Sequence, residues 1–379
     1  MKIVFWFFLS LIIFVYFGYP ALLIAISFFK RNRFEKDDFS PKVSILIPAH
    51  NEERVIEQKL INVFSLDYTH SKLEVILILD KCTDGTKEIA LKFINKGLKI
   101  IEQKVHSGKM AALNKGVSQA HGVILIFTDA NTIFKENAIK KLVRYFKDSK
   151  IGGVCGKLIY KDKMNENSFK GEGIYWKYEN FIKQLESKVN SLVTANGSIY
   201  AIRKTLFSAI DEDLADDLVM PIKIAADKKR FIYEPDAIAW EKPPQKAEEE
   251  FHRRVRIINQ GFKATFKLAK CIVNAGSLFV FEFLFHKLLR WLVPLFLILV
   301  FISNIFLLHL KLYVVFFMIQ LIFYIMALLG YVFYIKDKKS KIYYLPFYFC
   351  LLNMAALYGL IQFLLRVQTK TWEKAETTR

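Results

Sequence analysis

The sequence predicts an α/β domain carried between apolar helices that cross a membrane. Three observations predict it. Apolar runs sit at the two ends of the 379-residue chain, which is 53% hydrophobic with a mean hydropathy of +0.24. Between them, short apolar segments of strand length alternate with helical segments. Polar, chemistry-bearing residues fall at the ends of those strands. The length allows two or three structural units, and the middle, residues 38–274, is long enough to bury a full core. The chain divides into an anchor (1–37), an α/β domain (38–245), basic amphipathic helices (246–286) and a C-terminal membrane region (287–379).

In chain order, residues 4–29 are apolar, unbroken by charge and about long enough to span a bilayer. The run is long and bulky in Phe, Ile and Leu. It reads as a permanent anchor rather than a cleaved signal peptide, whose apolar core is shorter and ends in small residues. The basic flank Lys30-Arg31-Asn32-Arg33 places the chain from Lys30 onward in the cytosol by the positive-inside rule. Strands are expected over 43–48, 73–80, 98–102 and 122–128, and helices over 52–64, 86–95, 110–120 and 135–146. Such alternation implies right-handed β-α-β units and a parallel sheet covered by helices on both faces. Ligands of such sheets bind past the carboxyl ends of the strands. Residues 246–270 alternate basic and apolar positions at helical spacing, as membrane-surface helices do. Three further spans are expected over 288–308, 312–335 and 343–365. The basic loop from Lys336 to Lys341 belongs in the cytosol, which puts the chain from Arg366 onward on the far side unless the last segment is re-entrant.

The formal net charge is +19 and the isoelectric point about 9.5. No zinc finger, helix-turn-helix or RNA-binding signature accompanies the charge, so nucleic acid is not an expected partner. Lysines and arginines beside apolar spans suit anionic lipid, and a few in a pocket suit a nucleotide diphosphate. Cys82, Cys155, Cys271 and Cys350 are scattered and read as free thiols. The seven histidines do not cluster either.

The chemistry concentrates at the strand ends. Pro48-Ala49-His50-Asn51-Glu52 joins a strand to a helix and offers backbone N–H groups to a polar ligand. Asp80-Lys81-Cys82-Thr83-Asp84-Gly85-Thr86 ends the next strand, and Thr83 or Asp84 is a plausible helix N-cap. Gly108-Lys109 opens a helix in a way that suits phosphate, but the spacing of a P-loop is absent, so ATP hydrolysis has no support. Asp129-Ala130-Asn131 comes directly after an apolar strand. A carboxylate with a second oxygen two residues on can hold a divalent ion against a diphosphate; alone, it is also common turn chemistry.

Taken together, in order and spacing, these pieces resemble the family 2 glycosyltransferases over about residues 41–266. The terminal spans are similar to those of the membrane-bound processive branch, which includes the cellulose, hyaluronan, chitin and poly-N-acetylglucosamine synthases. The matching residues are Pro48 to Glu52, Asp80 to Thr86, Gly108-Lys109 with Ala112-Leu113-Asn114, and Asp129-Ala130-Asn131. Ala195-Asn196-Gly197-Ser198, Asp216-Asp217 and His252-Arg253-Arg254-Val255-Arg256 complete the set. The resemblance implies a GT-A (Rossmann-like) domain with one N-terminal and about three C-terminal transmembrane helices. It implies transfer, with inversion at the anomeric carbon, from a nucleotide diphosphate sugar, UDP being favoured, to a glycan or lipid-linked acceptor.

The same resemblance assigns roles. Pro48, Asn51, Glu52, Asp80, Asp84, Lys109, Asn114 and Asp129 would form the donor site, with Asp80 on the nucleobase. Asp129 and Asn131 would hold Mg²⁺ or Mn²⁺. Asn131 departs from the family's usual Asp and brings an oxygen without a charge. Asp217, with Asp216 beside it, would be the base that takes the acceptor's proton; mutual repulsion of adjacent carboxylates raises at least one pKa. The same pair also reads as acids at a helix N-terminus. Gly197, Arg253, Arg254 and Arg256 would serve the acceptor and the diphosphate. Ile257 stands where the family has a Trp. Tyr175, Trp176 and Tyr178 read equally as a sugar path or as core.

Two rivals remain. A polyprenyl-phosphate sugar synthase shares the donor motifs but needs no general base. A membrane scaffold or transport subunit would have lost the acidic residues, and Asp80, Asp129 and Asp217 are present. The expected location is the plasma membrane, multi-pass, with the catalytic domain in the cytosol.

Overall fold

The computed structural model describes residues 1–30, 39–160, 170–336, 338, 340–367 and 376–378, without the side chains of 170–174. The basic flank at 31–33 lies outside the described residues, as do parts of the 336–341 loop.

An eight-stranded sheet forms the centre: β1 Val43–Ala49, β2 Leu73–Asp80, β3 Leu98–Gln103, β4 Ile124–Phe127, β5 Ile133–Phe134, β6 Ile151–Tyr160, β7 Tyr200–Arg203 and β8 Arg230–Glu241. Their spatial order is β3-β2-β1-β4-β7-β6-β8-β5. β3, β2, β1 and β4 are parallel, with Ile45 opposite both Val75 and Ile126. β1 is an unbroken apolar run because both of its faces are covered, and every residue in it is buried.

The expectation of a wholly parallel sheet is corrected beyond β4. There β7 runs antiparallel to both β4 and β6, β8 pairs parallel with β6, and β5 pairs antiparallel with β8. No strands are expected from sequence after residue 146, and the segments between β6, β7 and β8 carry the helices Lys170–Val189 and Asp216–Ala226. The α/β class with a GT-A-type sheet stands.

Three of the four expected helices around the sheet are shorter than their sequence patterns, and the one expected over 110–120 keeps its length two residues earlier. In chain order, α1 spans Lys2–Phe29 with a π turn at Phe14–Gly18. Then come α2 (Ile56–Phe64), α3 (Thr86–Leu91), α4 (Gly108–Ser118), α5 (Ala138–Val143), α6 (Lys170–Val189), α7 (Asp216–Ala226), α8 (Ala247–Lys267) and α9 (Ala269–Asn274). After them come α10 (Ser277–Ile305), α11 (Lys311–Ile335) and α12 (Lys341–Leu364). α2 begins only at Ile56 because Asn51 adopts positive φ (53°) and turns the chain first.

Backbones come close where β1 meets the residues just before β4. A Cβ on Gly122 would lie 2.5 Å from the Val43 carbonyl carbon and closer still to the Ser44 nitrogen. Neither is a flexible group. Gly122→Ala is expected to cost about 1–3 kcal/mol through overpacking, read as a lower midpoint of thermal unfolding. An unchanged midpoint would mean that the strands separate freely at this point.

Among the described residues, four helices (α1, α10, α11 and α12) are long and apolar enough to cross a membrane. α1 and α10 run antiparallel: Phe8 meets Phe296, Phe14 meets Phe285 and Tyr19 meets Phe281. α10 begins at Ser277 rather than at 288, because Glu282 and His286, which interrupt its apolar pattern, are buried against polar partners. α8, expected to lie on a membrane surface, has α12 along it. Glu250 meets Tyr348, Val255 meets Gly359, and Phe262 and Phe266 stack on Phe363. The contacts advance together along both helices, so the two run parallel.

The turn Glu376–Thr378 then docks on the catalytic side, where the Gln245 amide donates to Thr377 Oγ1 (3.0 Å). The expectation that the chain beyond Arg366 ends on the far side is therefore corrected. The re-entrant alternative fits, because α12 lies along α8 instead of returning along α1.

Candidate active site

β1, β2 and β4 deliver their carboxyl ends to one edge of the sheet, where parallel strands expose ligand-binding loops. A cavity of about 250 Å³ opens there. Of the residues singled out from sequence, Pro48, Glu52, Lys109, Asp129, Asn131, Gly197, Asp216, Asp217, Arg253 and Arg256 line it. Asn51, Asp80, Asp84, Asn114 and Arg254 are not on its wall.

Arg254 lines a neighbouring cavity, and the other four hold the surroundings. Asn51 Oδ1 accepts from the Thr83 amide (2.7 Å), tying the loop after β1 to the loop after β2. Asp84 accepts from the amides of Glu53 and Thr86, both at 3.1 Å. Burial pushes its carboxyl up, but these bonds and the Thr86 hydroxyl outweigh it and hold the pKa low. The helix N-cap position itself falls on Gly85, one residue later than expected. Asp80 is fully buried and accepts from the Ser107 and Gly108 amides at 2.9 and 2.8 Å, so it anchors the start of α4. Asn114 pairs in both directions with the backbone of Ile210.

The view that the histidines do not cluster is also corrected. His106 Nδ1 lies 2.9 Å from Asp80 Oδ2, and the rings of His50 and His106 lie 4.1 Å apart. The three side chains come from separate loops, which sequence spacing does not register.

Inside the cavity the groups form two linked centres. The first is an oxygen cluster. Ser198 Oγ lies 2.9 Å from Asp129 Oδ2 and 3.1 Å from Glu241 Oε2, and Asn131 Nδ2 donates to Glu241 Oε1 (3.0 Å). Burial raises the Glu241 pKa, and the Asp129 charge raises it further. Glu241, at the end of β8, was missed from sequence because no motif surrounds it. It brings to this cluster the charge that Asn131 lacks. Hard oxygen donors of this kind suit Mg²⁺ or Mn²⁺, so the residues fit such an ion. Behind the turn sits Lys59, also missed. It is buried and donates to Thr128 Oγ1 and to the Thr132 carbonyl, and burial pushes its pKa down to about 7 against the pull of Asp129 and Glu241.

The second centre is the acidic pair at the start of α7. Lys109 Nζ joins the two centres, 2.8 Å from Asp129 and 3.6 Å from Asp216. Burial works against its charge, but Asp129 and Asp216 overcome this and raise its pKa. Asp216 accepts from the buried Tyr200 hydroxyl (2.7 Å). Asp217 is held through its backbone, whose carbonyl accepts from the Ala195 amide (2.7 Å). Burial first, then repulsion from Asp216, pushes its carboxyl up to about 6, and Lys109, Lys183 and Lys287 limit the rise. Asp217 also lines a second cavity of about 180 Å³, together with Arg254 and Tyr175; Trp176 lines both cavities. Tyr178 instead donates to the Tyr16 carbonyl. Ile257 faces both cavities.

This arrangement has counterparts among known proteins. Residues 44–211 match the model of Glycosyl transferase family 2. A probable glycosyltransferase, YdaM, of Bacillus subtilis is 30% identical over 238 residues, covering 57% of this chain and 54% of that protein. The poly-beta-1,6-N-acetyl-D-glucosamine synthase of Staphylococcus epidermidis is 26% identical over 255 residues, covering 65% and 61%. The chain thus spans between half and two thirds of the length of these relatives. Among solved structures, a mannosyltransferase of Pyrobaculum calidifontis, in complex with GDP-Man and Mn²⁺, superposes with a TM-score of 0.73. It is 20% identical and is matched over 95% of this chain and 98% of that one, a likeness of fold. The domain that begins at β1 and carries these strand-end motifs is thus similar to glycosyl transferase family 2 over residues 44–211, and the curated relatives it matches are glycosyltransferases.

Proposed function

We propose that this glycosyltransferase moves a sugar from a nucleotide diphosphate sugar to a hydroxyl of a glycan or lipid-linked acceptor, with inversion, in polysaccharide biosynthesis. The observation that carries the reading is the position of Asp217. It stands between two cavities, one walled by the oxygen cluster and Lys109, the other by aromatic and cationic side chains. A base so placed reaches an acceptor on one side and a donor's anomeric carbon on the other.

In this reading the donor diphosphate lies by Lys109 and Asp129, with Arg253 and Arg256 across the cavity as phosphate-binding groups. Asp129, Asn131 and Glu241 hold Mg²⁺ or Mn²⁺, which when bound neutralises the leaving diphosphate. Ser198 keeps Asp129 and Glu241 apart and oriented. Pro48 and Glu52 close the donor side. Asn51, Asp80, Asp84 and Asn114 act one layer out, by fixing the loops that the nucleoside meets. Asp217 takes the acceptor proton, and Asp216 and Tyr200 hold the helix start that carries it. Gly197 lies against Asp217 and Lys109. The donor is a UDP-sugar, and N-acetylglucosamine is the first to try, given the named product of the staphylococcal relative. The protein sits in the plasma membrane with this domain in the cytosol, supported by the four apolar helices and the basic 336–341 segment.

Nucleoside diphosphate release by detergent-purified protein, across UDP- and GDP-sugars, tests the reading. Release from one donor, abolished by a chelator, is expected. Failure to bind any nucleotide sugar in calorimetry would overturn it. Glu241→Gln is expected to weaken Mn²⁺ binding by about tenfold, one charge-assisted ligand's worth, measured by electron paramagnetic resonance. Unchanged affinity would remove Glu241 from the metal set.

A further inference from the structure

The second cavity adjoins the first through Asp217 but differs from it in character. Its described wall carries five cationic side chains, Lys183, Arg253, Arg254, Lys287 and Arg290, against the carboxylates of Glu179 and Asp217. Glu250, just outside, adds one more. Arg253 and Arg254 both reach Glu250, at 3.5 and 2.5 Å. Lys287 and Arg290 both reach Glu179, each at 3.1 Å. Lys287 and Arg290 thus share one carboxylate, and with Lys183 on the same wall the cations outnumber Glu179 and Asp217. The Lys287 and Arg290 pair is largely buried, where an excess of charge is costly unless a counter-ion is bound.

Thr194, His286 and Asn353 add polar groups, and the rest of the wall is mainly apolar and aromatic. Trp291 comes from α10, Ile258 from α8, and Leu352 and Ala356 from α12. A cavity with a cationic half and an apolar half, built partly by helices of membrane character, matches an amphiphile with an anionic head. A neutral glycan would have no use for the surplus charge. Arginine forks and a lysine ammonium suit phosphate oxygens.

We propose that this cavity seats the phosphate or diphosphate of a lipid-linked acceptor, whose attached sugar presents a hydroxyl to Asp217. The proposal rests on the transferase reading above and names its acceptor class. The lipid portion leaves past Trp291, Leu352 and Ala356. The acceptor hydroxyl oxygen bonds to the donor's anomeric carbon. The bond from that carbon to the nucleoside diphosphate breaks with its electron pair on the phosphate oxygen, and the hydroxyl proton passes to Asp217. The lipid phosphate stays intact throughout, as an anchor.

The test uses the full chain in phosphatidylcholine nanodiscs with saturating nucleoside diphosphate and Mn²⁺, so that the donor side is filled. Binding of farnesyl diphosphate is compared with binding of farnesol. The diphosphate is expected to bind at least about tenfold tighter, and Lys287→Gln to weaken it by about tenfold, as loss of one charge-assisted contact predicts. Arg290→Gln is a second variant; should it fail to fold, Lys287→Gln alone decides. Equal binding of diphosphate and alcohol, or full affinity in Lys287→Gln, overturns the proposal. Displacement of the probe by phosphatidylglycerol would also overturn it, by making the cavity a seat for bulk lipid. Donor-sugar binding measured on the same preparation separates the two readings. Donor binding without the probe effect removes only the acceptor assignment, and the probe effect without donor binding removes only the transferase assignment.

Discussion

Asp217→Asn is expected to lower sugar transfer by about 10²- to 10⁴-fold, the range a general base contributes, while leaving donor binding intact. Asparagine keeps the size of the side chain and the backbone bond from the Ala195 amide, so the start of α7 should hold its place. What is lost is the proton acceptor. The carboxyl of Asp217, raised to about 6 by burial and by Asp216, is charged in most molecules at neutral pH. A raised carboxyl pKa means that the neutral, inactive form takes over as pH falls through that value. Wild-type turnover should therefore climb from acid toward a plateau with a midpoint near 6, and the variant should lack that limb. Nucleoside diphosphate release measured against pH reads both. If Asp217→Asn keeps wild-type turnover, Asp217 is not the base, and an acceptor that arrives already ionised becomes the better reading.

The sequence was informative where chemistry is local and silent where it is assembled. The strand ends at Pro48, Asp80 and Asp129 stood out because each comes after an apolar run and precedes a breaker. Their common edge results from parallel pairing of β1, β2 and β4. The difference between wall and scaffold was not readable. Asp80 and Asp129 look alike in sequence, yet Asp80 is consumed by the amides that start α4 while Asp129 faces the cavity. Glu241 had no signal because its partners, Asn131 and Ser198, are brought to it only by β8 crossing the sheet. The buried His286 looked like a break in an apolar helix. Its partners, Glu179 and Glu186, lie about a hundred residues away on α6. Hydropathy likewise registers α12 as one more span, because it measures composition and not the neighbour along which the helix lies.

The second large effect is expected at Asp129. Asp129→Asn should lower transfer by about 10²- to 10³-fold, the scale for losing a preorganised electrostatic contact to a leaving group, and should abolish Mn²⁺ binding at working concentrations. The carboxylate is central to its cluster, 2.8 Å from Lys109 and 2.9 Å from Ser198. Removing its charge leaves Lys109 facing Asp216 at 3.6 Å and leaves Glu241 as the cluster's carboxylate. The loss should therefore exceed that of Glu241→Gln in the same Mn²⁺ titration. The His50, Asp80 and His106 group offers a second set of potential ligands, so the two sites need separating. Their chemistry does this. Two imidazoles with one carboxylate favour zinc, whereas carboxylate and amide oxygens favour magnesium and manganese. His106→Ala should leave the Mn²⁺ resonance of the protein unchanged. Asp129→Asn retaining that resonance, with His106→Ala losing it, would move the metal to the loop side of β2 and leave Asp129 as a partner of Lys109.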